Sequence, residues 1–113
     1  MNALEAAKIA QEALEDKLGQ DIKVLDLQGL SNITDCFVIA SGSNVNHLRA
    51  MADEVEQKLF QEGVKLHHSE GYSVATWILL DFGNLLVHLF NKEQRDFYGL
   101  DHVWSDAKNV KKV

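Results

Sequence analysis

Residues 37–63 read FVIASGSNVNHLRAMADEVEQKLFQEG, a buried strand passing directly into a helix. Phe37 to Ala40 form a short, continuous apolar run, as expected of a strand covered on both faces. Ser41-Gly42-Ser43-Asn44 then turns the chain into Val45, Leu48, Ala52, Val55 and Leu59. Their spacing alternates by three and four, and Gly63 lies just past the end, which predicts an amphipathic helix with a clear stop. Residues from Lys65 to Glu70 follow as a weaker strand. A strand, helix, strand passage over residues 37–70 implies a right-handed crossover.

Outward from this unit, Asn2 caps a first helix with Glu5 three residues later, and Leu4, Ala7, Leu14 and Leu18 form its apolar stripe before Gly19 ends it. Residues 22–28 (IKVLDLQ) alternate as a strand closed by Gly29, and the polar stretch from Ser31 to Asp35 leads into the central run. Beyond the crossover, Ser73 to Leu80 and Leu85 to Phe90 are strong strands close enough to form a hairpin. Residues from Lys92 to Trp104 suit a short helix or turns carrying Phe97, Tyr98, Val103 and Trp104. Antiparallel hairpins flanking a crossover make a mixed, five-stranded sheet, with the helices mainly on one face. The chain is expected to be a single α/β domain over residues 1–107, followed by a Lys-rich disordered tail at 108–113.

A two-residue turn at Phe82-Gly83 sets Asp81 opposite Asn84, Leu79 opposite Leu86 and Trp77 opposite His88. One hairpin face is then Ile78, Leu80, Leu85, Val87 and Leu89, uniformly aliphatic and suited to packing under helices. The other mixes Trp77, Leu79 and Phe90 with Leu86, Asp81 and His88. Such a mixture suits a protein interface, because a large aromatic anchors while charged groups meet a partner at the edge. A second layer containing Tyr98 and Trp104 would account for it equally well.

The 113 residues are 46% apolar and 25% charged, the balance of one globular domain, with a formal charge of −6. Residues 1–107 hold all 17 acidic groups and 8 of the 11 basic ones, so the body itself stands at −9. A body of that charge repels nucleic acid and favours a basic protein as partner, although solubility alone also accounts for it. No apolar run approaches the roughly 20 residues that span a bilayer, so no membrane contact is expected and the cytoplasm is the expected location.

Chemistry is hard to place. Ser41-Gly42-Ser43 could present backbone amides to a phosphate, as in nucleotidyltransferases. The Asp81 strand, however, lacks the second acid that two-metal chemistry needs. His67 and His68, with Glu70 nearby, alternate across a strand and cannot share a metal. Asp81-Phe82-Gly83 matches a kinase triplet without any other kinase element. The lone Cys36 lies in an apolar run and is best explained as a small buried thiol. Neither a cofactor nor a metal is expected, and a nucleotide-handling enzyme using the Ser41–Asn44 turn is the alternative function.

Several runs recur together over residues 3–107: Val24-Leu25-Asp26-Leu27 with Gly29-Leu30-Ser31, Thr34-Asp35, Phe37-Val38-Ile39-Ala40-Ser41-Gly42 and Glu70-Gly71. They continue with Trp77-Ile78-Leu79-Leu80-Asp81-Phe82-Gly83, Val87-His88-Leu89-Phe90, Glu93 with Arg95, Phe97-Tyr98, and Leu100 with Trp104. In order and spacing these resemble the ribosomal silencing factor family, also called Iojap or RsfS. Cys36 stands where that family usually has tyrosine, and Asn84 where an acid is common.

The resemblance implies a fold related to nucleotidyltransferases without their catalytic acids, and a protein that is not an enzyme. It also implies docking on the large ribosomal subunit through its protein numbered fourteen (uL14), blocking of small-subunit joining, repression of translation under nutrient limitation and a part in large-subunit biogenesis. Carried over by position, the implied contact residues are Glu70, Gly71, Trp77, Leu79, Asp81, His88, Phe90 and Tyr98. Trp77, Leu79 and Phe90 would be apolar anchors, Asp81 and Glu70 partners for basic groups, and His88 and Tyr98 hydrogen-bonding edge groups. The same face could pair with itself as a homodimer when the protein is free.

Overall fold

The computed structural model describes residues 1–30, 32, 34–100 and the strand pairing of 108–110. Ser31, Val103 and Trp104 lie outside the described residues. The chain runs α1 (Ala3–Asp16), β1 (Gln20–Asp26), β2 (Cys36–Gly42), α2 (Val45–Gln61), β3 (His68–Glu70), β4 (Trp77–Asp81), β5 (Leu85–Asn91), α3 (Lys92–Tyr98) and β6 (Lys108–Val110). No helix of the described residues is long and apolar enough to cross a membrane.

Local chemistry starts each helix. The Asn2 side chain accepts the Glu5 amide at 2.8 Å while Glu5 accepts the Asn2 amide at 3.0 Å, the expected capping box. Asn44 and Asn91 cap α2 and α3 through the amides of His47 and Gln94. The buried stripe of α1, however, is Ala3, Ala6, Ala7, Ala10, Ala13 and Leu14, while Leu4 and Leu18 are exposed. Alanines let the helix backbone approach α2 and the sheet closely, so α1 turns five alanines inward beside Leu14 and leaves Leu4 outside, with Leu18 exposed just past its end.

The sheet order is β3-β4-β5-β2-β1-β6, and β2 with β5 is its one parallel pair. This is the expected mixed sheet of five strands, with β6 added at one edge. Lys108–Val110, expected in a disordered tail, instead pair with Asp26, Leu25 and Val24. The outer edge of β1 offers backbone groups that a following segment can satisfy. The crossover through α2 does not set β3 beside β2. It carries the chain to the far edge, and β4 and β5 return by hairpins to fill the gap.

Two stretches differ from their sequence pattern. Residues 72–74 form a turn rather than the start of a strand at Ser73. Ala75 adopts a left-handed φ of 55°, its amide donates to the Gly71 carbonyl, and Arg49 donates to the carbonyls of Tyr72 and Ser73. The β4–β5 turn is centred on Gly83-Asn84 rather than Phe82-Gly83, so Asp81 faces Leu86, Leu79 faces His88 and Trp77 faces Phe90. Gly83 takes the positive φ of 92° that the first turn position demands, while Phe82 is buried. The shift is two residues, an even number, so each side chain keeps its face.

Helices α1 and α2 cover the face carrying Val24, Cys36, Val38, Ala40, Ile78, Leu80, Leu85, Val87 and Leu89. The opposite face carries Leu25, Phe37, Ile39 and Phe90, with Trp77, Leu86 and Leu100 packed against them. Helix α3 is fastened at its end by the buried Arg95, which donates to Ser41 Oγ at 3.0 Å.

Candidate protein interface

The register gathers one continuous surface on the side away from α1 and α2. Neighbouring pairs Glu70–Leu79, Leu79–His88 and His88–Ile39 place β3, β4, β5 and β2 residues in a row, with Trp77–Phe90 and Asp81–Leu86 on either side. The aromatic rings run from depth to surface. Phe37 stands 4.6 Å from His88, Trp77 lies 4.9 Å from Phe90, and Tyr98 packs at a tilt 4.5 Å from Trp77 and meets Phe97 at 5.2 Å.

Of the eight candidates, Trp77, Leu79 and Asp81 are half-buried and Glu70, Gly71 and Tyr98 exposed. Phe90 is fully buried and His88 nearly so, and both lie beneath this surface. They support the surface from below, because Tyr98 and Trp77 close over Phe90 and the strands flank His88. Tyr98 thus supplies part of the second layer that would cover this face, but at 44% exposure it is also part of the surface.

Trp77 Nε1 donates to His88 Nδ1 at 3.1 Å, which fixes both rings. The neutral imidazole then carries its proton on Nε2, which is buried and has no hydrogen-bond partner among the described residues. Burial lowers the His88 pKa to about 4 from 6.5. The unfolded chain therefore takes the proton first, and the stability contribution of neutral His88, complete above pH 6.5, is lost as pH falls towards 4. Urea unfolding at pH 7 and pH 4.5 is expected to show a His88-dependent loss of about 2 kcal/mol. In His88→Gln, which retains an acceptor for Trp77, that part of the loss disappears; an equal loss in both proteins would assign the effect elsewhere.

Asp81 has a structural task as well, since its Oδ1 accepts the Gly83 amide at 2.8 Å and fastens the hairpin turn. Glu70 Oε1 lies 3.3 Å from His68 Nε2 at the exposed sheet edge. Gly71 has φ 81°, and a Cβ there would collide with the Trp77 carbonyl oxygen, so this position is reserved for glycine by packing alone. Phe97, 78% exposed, was not among the candidates. The short α3 buries Arg95, and a residue two positions further on cannot share that face; the signal was the helical period.

The remaining constellations are structural. The Ser43 amide donates to His47 Nδ1 at 2.8 Å, and His47 Nε2 lies 2.7 Å from the Lys17 carbonyl, so the strand-to-helix turn ties α1 to α2. A Cβ on Gly42 would meet Leu48 at 2.9 Å, which leaves this turn packed rather than cradle-shaped. His67 lies against Gly83 while His68 lies against Glu70, and among the described residues no group of three metal-ligating side chains comes together. Cys36 is buried, and burial, followed by the charges of Asp26 and Asp35, pushes its thiol up to about 11, far from a reactive thiolate.

The whole chain, residues 1–113, matches the family profile described as "Ribosomal silencing factor during starvation". It is 36% identical over 107 residues to the ribosomal silencing factor RsfS of Bacillus subtilis, covering 95% of this chain and 91% of that protein. It is 30% identical over 95 residues to a mouse protein named "Mitochondrial assembly of ribosomal large subunit protein 1", covering 81% of this chain but 42% of the longer relative. A crystal structure of a Chromobacterium violaceum protein superposes with a TM-score of 0.90 at 34% identity, over 100% of this chain and 94% of the other.

Proposed function

The chain belongs to the ribosomal silencing factor family, and from that membership we propose that it acts by docking rather than by catalysis, in the cytoplasm, on the large ribosomal subunit. The partner is the basic surface of ribosomal protein uL14. Occupation of that surface keeps the small subunit from joining and so represses translation when nutrients are scarce. The name of the mouse relative supports a further part in large-subunit biogenesis.

The observation that carries this proposal is the sheet face away from α1 and α2, where Trp77, Leu79, Phe97 and Tyr98 combine apolar surface with the carboxylates of Asp81 and Glu70. Large aromatics beside charged groups are what a specific, basic protein partner requires. Free chains pair through the same face until the large subunit competes for it; sedimentation over a range of concentrations tests this, and a strict monomer rejects it.

Purified large and small subunits at association-promoting magnesium, resolved on sucrose gradients, test the main proposal. Added protein is expected to sediment with the large subunit and to reduce the joined peak. Undiminished joining with saturating protein would overturn it.

A further inference from the structure

On the helical side of the molecule a groove of about 440 Å³ runs between α2 and the chain entering β3, lined by Asp53, Glu56, Gln57, Phe60, Lys65 and Leu66. The four α2 residues recur at i, i+3, i+4 and i+7 and form one continuous stripe beside the buried one. Its floor is apolar: Phe60 is 64% exposed, and Leu66 is half-buried against the core. Its helix wall is acidic. Asp53 accepts the Tyr72 hydroxyl at 3.1 Å, Glu56 is exposed, and Arg49, one turn before Asp53, donates to the carbonyls of Tyr72 and Ser73. β3, which follows Leu66, is the last strand of the sheet on that side, so no further strand closes the groove off.

We propose that this groove docks a basic, amphipathic peptide segment of a partner protein, with an apolar side chain against Phe60 and Leu66 and a lysine or arginine at Asp53 and Glu56. The two carboxylates, Asp53 and Glu56, outnumber the one cation of the lining, Lys65, so an exposed phenylalanine beside them is matched by that chemistry. Phosphate backbones are repelled by the carboxylates, and a second copy of a chain with formal charge −6 meets like charge there. The groove lies on the opposite side of the sheet from Trp77, Leu79 and Asp81, because Ile78 and Leu80, which alternate with them, pack under the helices. Both surfaces are therefore available at once.

Fluorescence anisotropy tests the proposal with three labelled peptides: a Leu-Phe pair flanked by lysines, the same peptide with glutamate for every lysine, and the lysine peptide with serine for Leu-Phe. Saturable, salt-weakened binding is expected for the first alone. Phe60→Ser and Glu56→Lys, both at exposed positions, each weaken it about tenfold or more, while cosedimentation with large subunits is unchanged. Absence of saturable binding, equal binding of the glutamate peptide, or binding that survives both variants would overturn it. Self-association abolished by Phe60→Ser would give the groove to a second copy and overturn it equally.

Discussion

Gly71→Ala is expected to lower the stability of the fold by about 3 kcal/mol or more, far beyond an ordinary glycine substitution. Three glycines of this chain hold similar positive φ values: Gly29 at 85°, Gly63 at 83° and Gly71 at 81°. At Gly29 and Gly63 an added Cβ meets nothing within 4 Å among the described residues, so alanine there costs only the left-handed conformation, about 1 kcal/mol. At Gly71 the same atom collides with the Trp77 carbonyl oxygen, which is backbone and cannot rotate away. The turn must therefore open. The Ala75 amide then loses the Gly71 carbonyl, and β3 loses its register on β4. Chemical denaturation of Gly71→Ala beside Gly63→Ala isolates the clash, since backbone conformation is common to both. Equal losses would show that the turn relaxes freely, and the packing account would fail.

Leu79→Lys is expected to weaken large-subunit binding by about 3 kcal/mol, a hundredfold or more in Kd, while leaving the fold intact. Leu79 sits half-buried in the middle of the proposed face, between Glu70 and His88. A lysine there can reach Glu70 in the free protein, but under a basic partner it becomes a buried like charge. Trp77→Ala is the less clean variant. Its ring is stacked on Phe90 and Tyr98 and bonded to His88, so truncation is expected to cost about 3 kcal/mol of stability besides any binding. Gradient cosedimentation of both variants, read beside their denaturation midpoints, separates the two effects. A Leu79→Lys protein that still cosediments at wild-type concentrations would remove this face from the proposal.

Much of the architecture was legible because it rests on short-range periodicity. The alternation in Trp77–Asp81 and Leu85–Asn91 assigned each hairpin residue to its face, and an error of two residues in the turn left that assignment untouched. The Asn2–Glu5 box and the three- and four-residue spacing of α2 are local in the same sense. The site was legible to the extent that it depends on which side of a strand a residue occupies. Depth was not: Phe90 and His88 lie on the expected face but beneath it, Phe90 because Tyr98, from a helix whose docking no local pattern specifies, closes over it with Trp77, and His88 because it is set among Phe37, Trp77 and Phe90.

From the order of residues alone came the element types, the sheet faces, the acidic body and, through the runs shared with a known family, the kind of partner. Packing settled the rest. That β5 rather than β3 lies beside β2, that α1 buries a row of alanines with Leu14 while Leu4 stays exposed, and that Lys108–Val110 extend the β1 edge are outcomes of long-range competition for backbone partners and close contact. Periodicity fixes a side chain's direction within its own strand or helix, but the choice among distant partners depends on the burial each arrangement achieves across the whole chain.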